Sequence, residues 1–227
     1  MAQHIRFAVI GVAVLATVAL VTGCSLFGSK EKDVDSVEIL LQKGTKAYEK
    51  GDYQEALEAF EQLKDWYPFS KHVILAELKI GDSYYHLEQY EDAIGAYQEF
   101  AELHPGNEAR PYVVYQIGRC YFDRIATIDR DQTSTRKALE TFRQLRAQYP
   151  ESVYADRAGD HINRCLKNLA GNEFYVAKFY FKSKRYKAAL KRFQTVVSEY
   201  PDVGMHREAM QYIARCEARL AALPSIP

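Results

Sequence analysis

The sequence predicts an all-α fold, a solenoid of about four to five helix–turn–helix repeats, and three observations predict it. Four octapeptides share one pattern: YQEALEAF (Tyr53–Phe60), YEDAIGAY (Tyr90–Tyr97), TRKALETF (Thr135–Phe142) and YKAALKRF (Tyr186–Phe193). Each has alanine fourth, leucine or isoleucine fifth and an aromatic ring eighth. A proline follows each final ring eight residues later, at Pro68, Pro105, Pro150 and Pro201. Twelve residues past each proline stands an isoleucine, and fifteen past it a small residue: Ile80 with Ser83, Ile117 with Cys120, Ile162 with Cys165, and Ile213 with Cys216. Apolar residues at i, i+3, i+4 and i+7 make each segment one amphipathic helix. The proline, which lacks a backbone donor, ends it.

Taken in order, the elements begin with a separate amino-terminal segment, residues 1–23. MAQHIR is short, polar and basic. FAVIGVAVLATVALV is an apolar run too short for a membrane span and suited to the core of a signal peptide. It leads to VTGC, Val21–Cys24, which resembles the lipobox of bacterial lipoproteins, with Cys24 as the residue that carries lipid after cleavage. Ser25 rather than aspartate follows it, which by the same resemblance favours the outer membrane. Residues 24–36 are polar and read as a tether. About 12 such residues span at most ~40 Å when extended, so the folded body stays near the bilayer. Several acyl chains hold a domain on a membrane where one binds only marginally.

The repeat region is expected over residues 37–222, with 223–227 as a tail. The prolines at 68, 105, 150 and 201 stand 37, 45 and 51 residues apart, so the repeats are uneven. The third holds a polar insertion around TIDRDQTST. The fourth has a long segment between Pro150 and RYKAAL, which makes one extended helix or two helices broken near Gly171. After Pro201 one helix fits, and it would cap the last apolar face.

The cysteines follow the repeat. Cys120, Cys165 and Cys216 share a phase in which the second repeat has Ser83, so the position selects a small residue. Isoleucine and cysteine three apart lie on one helix face, and free cysteine is a good small core residue. A metal needs several ligands converging on one ion, whereas these positions are spread along successive repeats. A disulfide needs Cα atoms closer than helices usually pack. It stays open as an alternative, because a periplasmic setting is oxidising.

The pattern resembles the tetratricopeptide repeat, so the expected architecture is a tetratricopeptide-repeat superhelix. Gly81, Tyr84, Ala93, Tyr97 and Pro105 occupy all the positions that define it, and Gly44, Ala56, Phe60 and Pro68 most of them. Solenoids of this kind bind peptides in a groove lined by the first helix of each repeat. By phase, its candidates are Tyr48, Asp82, Tyr85, Tyr115, Arg119, Phe122 and Arg164, with Leu41, Thr45, Leu78, His86, Asp123 and Arg215 at related positions. The arginine of each I-x-R-C falls on the groove side while isoleucine and cysteine pack inward. Aromatic walls with a few fixed charges suit a peptide bearing apolar side chains and a carboxylate. The alternative for any one arginine is a solvated or locally paired surface charge.

Other function classes fare poorly. With 30 basic and 30 acidic residues the chain has no net charge, which argues against nucleic-acid binding. Its 17 tyrosines and 11 phenylalanines suit helix packing or a peptide-binding face. No H-E-x-x-H, G-x-S-x-G or phosphate-cradling loop occurs, and His72, His86 and His104 lack ligand spacing. No catalytic residue, metal or other cofactor is expected.

Nearly the whole chain resembles the BamD (ComL) family of outer-membrane assembly lipoproteins. The lipobox and tether, DWYPFSKHVILAELKIGDSYY, HPGNEARPYVVYQIGRCYF, the insertion in the third repeat and LKNLAGNEFYVAKFYFKSKRYKAALKRFQTVVSEYPD carry the resemblance. It implies a non-enzymatic scaffold, anchored in the outer membrane on its periplasmic face. The amino-terminal repeats would receive unfolded outer-membrane proteins through an aromatic targeting strand. The later repeats would dock a BamA-like β-barrel protein through its periplasmic domains, with Arg192 at the matching basic position, alongside other assembly-machine lipoproteins. Compared with longer members, the fifth repeat has one helix. Competing readings are a pilotin for a secretin or pilus, a cell-division or Tol coordinator, and a peptidoglycan hydrolase. The uneven repeats, the lack of a coiled-coil segment and the lack of a nucleophile–base pair disfavour them in turn.

Overall fold

The computed structural model describes residues 34–222, and side chains from residue 37. The signal segment, Cys24, most of the tether and the 223–227 tail lie outside the described residues. Among the described residues all regular structure is helical: α1 Val34–Lys50, α2 Tyr53–Trp66, α3 Val73–His86, α4 Tyr90–Leu103, α5 Arg110–Phe122, α6 Thr133–Gln148, α7 Val153–Lys182, α8 Tyr186–Ser198 and α9 His206–Ala221. The helix begins at Val34, so it takes in the last three residues assigned to the tether. The chain divides at Ile39/Leu40 into two units, and the second, from Leu40 onward, holds the repeats.

Each helix from α2 onward packs against its neighbours in sequence, and α5 also reaches α7. This is the solenoid expected from the repeats. Its seams are the repeated residues themselves. The fourth-place alanines Ala56, Ala93, Ala138 and Ala189 and the eighth-place rings Phe60, Tyr97, Phe142 and Phe193 are all fully buried. The rings of Phe60, Tyr97 and Phe142 press directly against Gly44, Gly81 and Gly118 on the preceding helix. Only a residue without Cβ lets a ring approach this closely. Cys120, Cys165 and Cys216 are free and buried, filling the small-residue phase.

Turns within the pairs are tight. Gly51, Glu88 and Lys184 occupy the same place and all take positive φ, 81°, 59° and 59°. A proline or a capping side chain sets several helix starts. Pro111 opens α5, and the Asp52 and Ser152 side chains accept from the backbone amides of Glu55 and Tyr154 at 3.5 and 3.2 Å.

The long segment of the fourth repeat is one continuous helix of 30 residues, unbroken at Gly171. Gly171 instead receives the side chain of Ile128 from the polar insertion. Asn168 donates to the Ala126 carbonyl at 3.2 Å and to Gln132 Oε1 at 2.7 Å, and Asn172 to the Ile128 carbonyl at 2.7 Å. Gln132, 2% exposed, closes the loop on itself by donating to the carbonyls of Thr127 and Arg130. The insertion is therefore built into the solenoid. The carbonyls of Ala126 and Ile128 are met by side-chain amides of α7, and those of Thr127 and Arg130 by Gln132 within the loop.

Candidate functional site

Helices α1, α3, α5 and α7 carry the candidate groove residues, and all but Asp82 fall along a ladder of rings and charges. At one end the Tyr48 ring meets Tyr53 and His86 edge-on, with centroids 5.3 and 5.7 Å apart. The Lys79 ammonium stands 4.1 Å from the Tyr48 ring centre. His86 stacks flat on Tyr53 at 4.3 Å and touches Tyr85. Tyr85 passes the chain to α5: its hydroxyl accepts from Arg119 and donates to Asp123. Arg119 also reaches Asp123 at 3.3 Å, and its Nε is buried with no hydrogen-bond partner among the described residues.

Electrostatics keep the Tyr85 hydroxyl protonated. Burial, then the hydrogen bond and charge of Asp123, hold the Tyr85 hydroxyl well above its ordinary value, so it remains a donor. A guanidinium fixed from two sides is pre-organised for an acceptor such as a carboxylate.

Farther along, the Arg164 guanidinium lies 4.6 Å from the Phe122 ring centre. Phe122, Phe142 and Tyr115 surround His161, which stacks on Phe142 at 4.9 Å and shares a hydrogen bond of 3.1 Å with the Tyr115 hydroxyl. Arg164 and Phe122 also border an open trough of about 600 Å³ between α5, α7 and the insertion, with Lys167 and Met205 on its walls.

The predicted residues thus divide. Tyr48, Tyr85, Arg119 and Arg164 are partly accessible and belong to the ladder. Tyr115 and Phe122 are 8% and 7% exposed and form its floor. Asp82 lies deeper, 3% exposed, where it accepts from Tyr97 at 2.7 Å, from Tyr112, and from Lys79 at 2.9 Å. Its place beneath the tyrosine hydroxyls makes it a pin between the second and third repeats, not a wall of the groove. Repeat phase predicts which side of a helix a residue takes; it does not say how far a neighbouring ring will cover it. Arg192 stands apart on α8, where it grips both oxygens of Glu173 on α7 at 2.8 and 2.7 Å. The third arginine of the I-x-R-C series, Arg215, lies over the rings of Phe181 and Tyr212.

Groove phase alone does not single out His161, Tyr112, Gln116 and Asn168. A signal exists for two of them. The place just before each repeat isoleucine holds Lys79, Gln116, His161 and Tyr212 in turn, always a polar or amphipathic group.

The description "YfiO: Outer membrane lipoprotein" belongs to a family whose model matches residues 33–223. Relatives named "Outer membrane protein assembly factor BamD" occur in several bacteria. The one from Caulobacter vibrioides is 31% identical over 202 residues, and the match covers 88% of this chain and 66% of that protein. Those from Neisseria meningitidis and Rickettsia prowazekii are 27% and 28% identical, the match covering 87% of this chain each time and 80% and 88% of the relative. Among solved structures, the TPR2AB domain of yeast Sti1 in its pHSP90 complex superposes with a TM-score of 0.52 at 14% identity, covering 82% of this chain and 71% of that one. That likeness shows the tetratricopeptide fold alone.

Proposed function

The chain belongs to the YfiO family of outer membrane lipoproteins, and from that premise we propose that it is a non-catalytic scaffold for assembling outer-membrane proteins. Lipid on Cys24 anchors it to the periplasmic face of the outer membrane. Its first repeats receive unfolded outer-membrane proteins, and its later repeats dock the periplasmic domains of a BamA-like β-barrel protein beside other assembly lipoproteins. No nucleic acid and no cofactor takes part.

The observation that carries the reading is the span of the family match. It takes in every described helix, including the insertion and the 30-residue α7 that set this chain apart from regular repeats. The ladder supports the client-binding half. Rings of Tyr48, His86 and Tyr85 lead to an Arg119 held rigid by Tyr85 and Asp123, which suits an aromatic peptide ending in a carboxylate. Arg192, 44% exposed although paired with Glu173, supports docking at the other end.

The test is a pull-down of the tagged lipoprotein from its native envelope in mild detergent, with mass spectrometry. Near-stoichiometric recovery of a barrel protein bearing periplasmic repeat domains is expected. Recovery of a secretin, pilus or Tol component without that barrel would overturn the proposal. Within the complex, Arg119→Ala should weaken binding of an aromatic carboxy-terminal peptide by roughly tenfold, the loss of one charged hydrogen bond.

A further inference from the structure

A short ordered turn joins α2 to α3. The Ser70 amide donates to the Tyr67 carbonyl at 2.9 Å, and the Val73 amide to the Ser70 carbonyl at 3.1 Å. Phe69 stands at its apex with its side chain wholly in solvent, 102% exposed. Trp66, at the end of α2, is 52% exposed, and Leu75 in the first turn of α3 is 43% exposed. Leu103 ends α4 and is 56% exposed. These side chains share one edge of the solenoid. Lys64 on α2 reaches Glu99 on α4 at 2.8 Å, and His104 after α4 meets Glu77 on α3 at 2.5 Å. The chain also enters the solenoid here. The two-residue turn Gly51–Asp52 sets the part of α1 from Leu40 onward antiparallel to α2, and Gly44 lies against Phe60. Leu40 is therefore level with the last turn of α2.

Solvated large apolar side chains gathered in one place mark an interaction surface. We propose that the Trp66–Leu75 turn is a membrane-contact element that lays Trp66 and Phe69 into the headgroup layer of the bilayer. The inference rests on the lipid anchor proposed for Cys24. Tether length and residue composition select lipid over a protein partner. Cys24 and Leu40 are 16 residues apart, those from Val34 being helical, so an anchor on Cys24 holds this edge within ~45 Å of the bilayer. The composition is also that of an interface: tryptophan with other aromatic and aliphatic groups sits where one end of a ring is apolar and the other wet. Asp65 and Lys71 flank the turn with opposite charges, so contact is driven by apolar burial and should persist at raised salt. A second attachment point would orient the repeats, which an acyl anchor on a tether cannot do alone.

Trp66 is the one tryptophan in the chain, so its fluorescence reports this edge alone. The test uses the full-length lipoprotein in vesicles of phosphatidylethanolamine and phosphatidylglycerol, with and without bromine on the upper acyl carbons. The expected result is co-flotation with the vesicles, blue-shifted Trp66 emission, quenching by brominated lipid and protection from aqueous iodide. Phe69→Ser, which removes an exposed ring and so leaves folding intact, should lower the ratio of docked to undocked edge roughly tenfold. Flotation with Trp66 unquenched by bromine and open to iodide overturns the inference and leaves the anchor standing. Shielding that appears only when partner proteins are added makes the edge a protein interface, and likewise overturns it. Failure to float removes the anchor and this inference with it.

Discussion

Gly118 lies directly beneath the ring of Phe142: a Cβ at this position would stand 2.5 Å from Cε1. The ring is fully buried between repeats and has nowhere to retreat. Gly118→Ala should therefore destabilise the fold by about 1–3 kcal/mol through overpacking, although alanine is the better helix former. Gly95 supplies the control. It lies within α4, and a methyl group there would meet nothing within 4 Å, so Gly95→Ala should stabilise by about 0.5–1 kcal/mol. Denaturant midpoints that move the same way for both would refute the close-approach argument.

The Arg192–Glu173 pair separates docking from folding. Arg192→Glu sets two carboxylates side by side, one of them on a side chain only 15% exposed. The half-exposed guanidinium limits the stability cost to about 1 kcal/mol. Partner recovery should fall further than that. Adding Glu173→Arg should restore the melting temperature but not the partner. If the double variant regains both, Arg192 acts only within the chain.

Asp82 offers a complementary contrast. Asp82→Ala removes the acceptor shared by the Tyr97 and Tyr112 hydroxyls, which should cost about 1–3 kcal/mol per stranded hydroxyl. Peptide affinity of the folded fraction should stay unchanged. A selective loss of affinity at full stability would return Asp82 to the groove.

Stability should also depend on pH through His161. Burial, then the charges of Arg119 and Arg164, hold its imidazole below the ordinary value. The unfolded chain therefore takes up the proton first. The contribution is fully present above the unfolded value, about 6.5, and is lost as pH falls through it toward the folded one. His161→Phe keeps a ring against Phe142 and should flatten the acid side of the stability profile. His86, lowered chiefly by its own burial, contributes in the same sense and leaves a residual slope. Identical profiles for the two proteins would exclude His161.

The thiols should be silent until the repeats open. Burial pushes Cys120 up to about 12 and Cys165 up to about 11, and Cys216 is raised by the same cause. The thiolate is the reactive form. Native protein should leave all three unlabelled by a thiol reagent, and denaturant should release them together. Rapid labelling of Cys120 in the native state would contradict its burial.

What the sequence determined by itself was periodic. Repeated alanines, rings and prolines specify amphipathic helices and their ends, because helix geometry converts spacing into faces. The cysteine phase followed from the same register. Tertiary structure decided what spacing cannot express. Asp82 and Arg119 occupy equivalent groove positions, yet the tyrosines of neighbouring helices bury the first and leave the second half open. Gly171 could have broken α7; packing of Ile128 and hydrogen bonds from Asn168 and Asn172 keep it continuous. Phe69 reads as one more aromatic in an aromatic-rich chain, and only the packing of α2 on α3, and of α3 on α4, leaves it in solvent. Burial depends on which distant side chains arrive, and that is a property of the packed chain rather than of any local stretch.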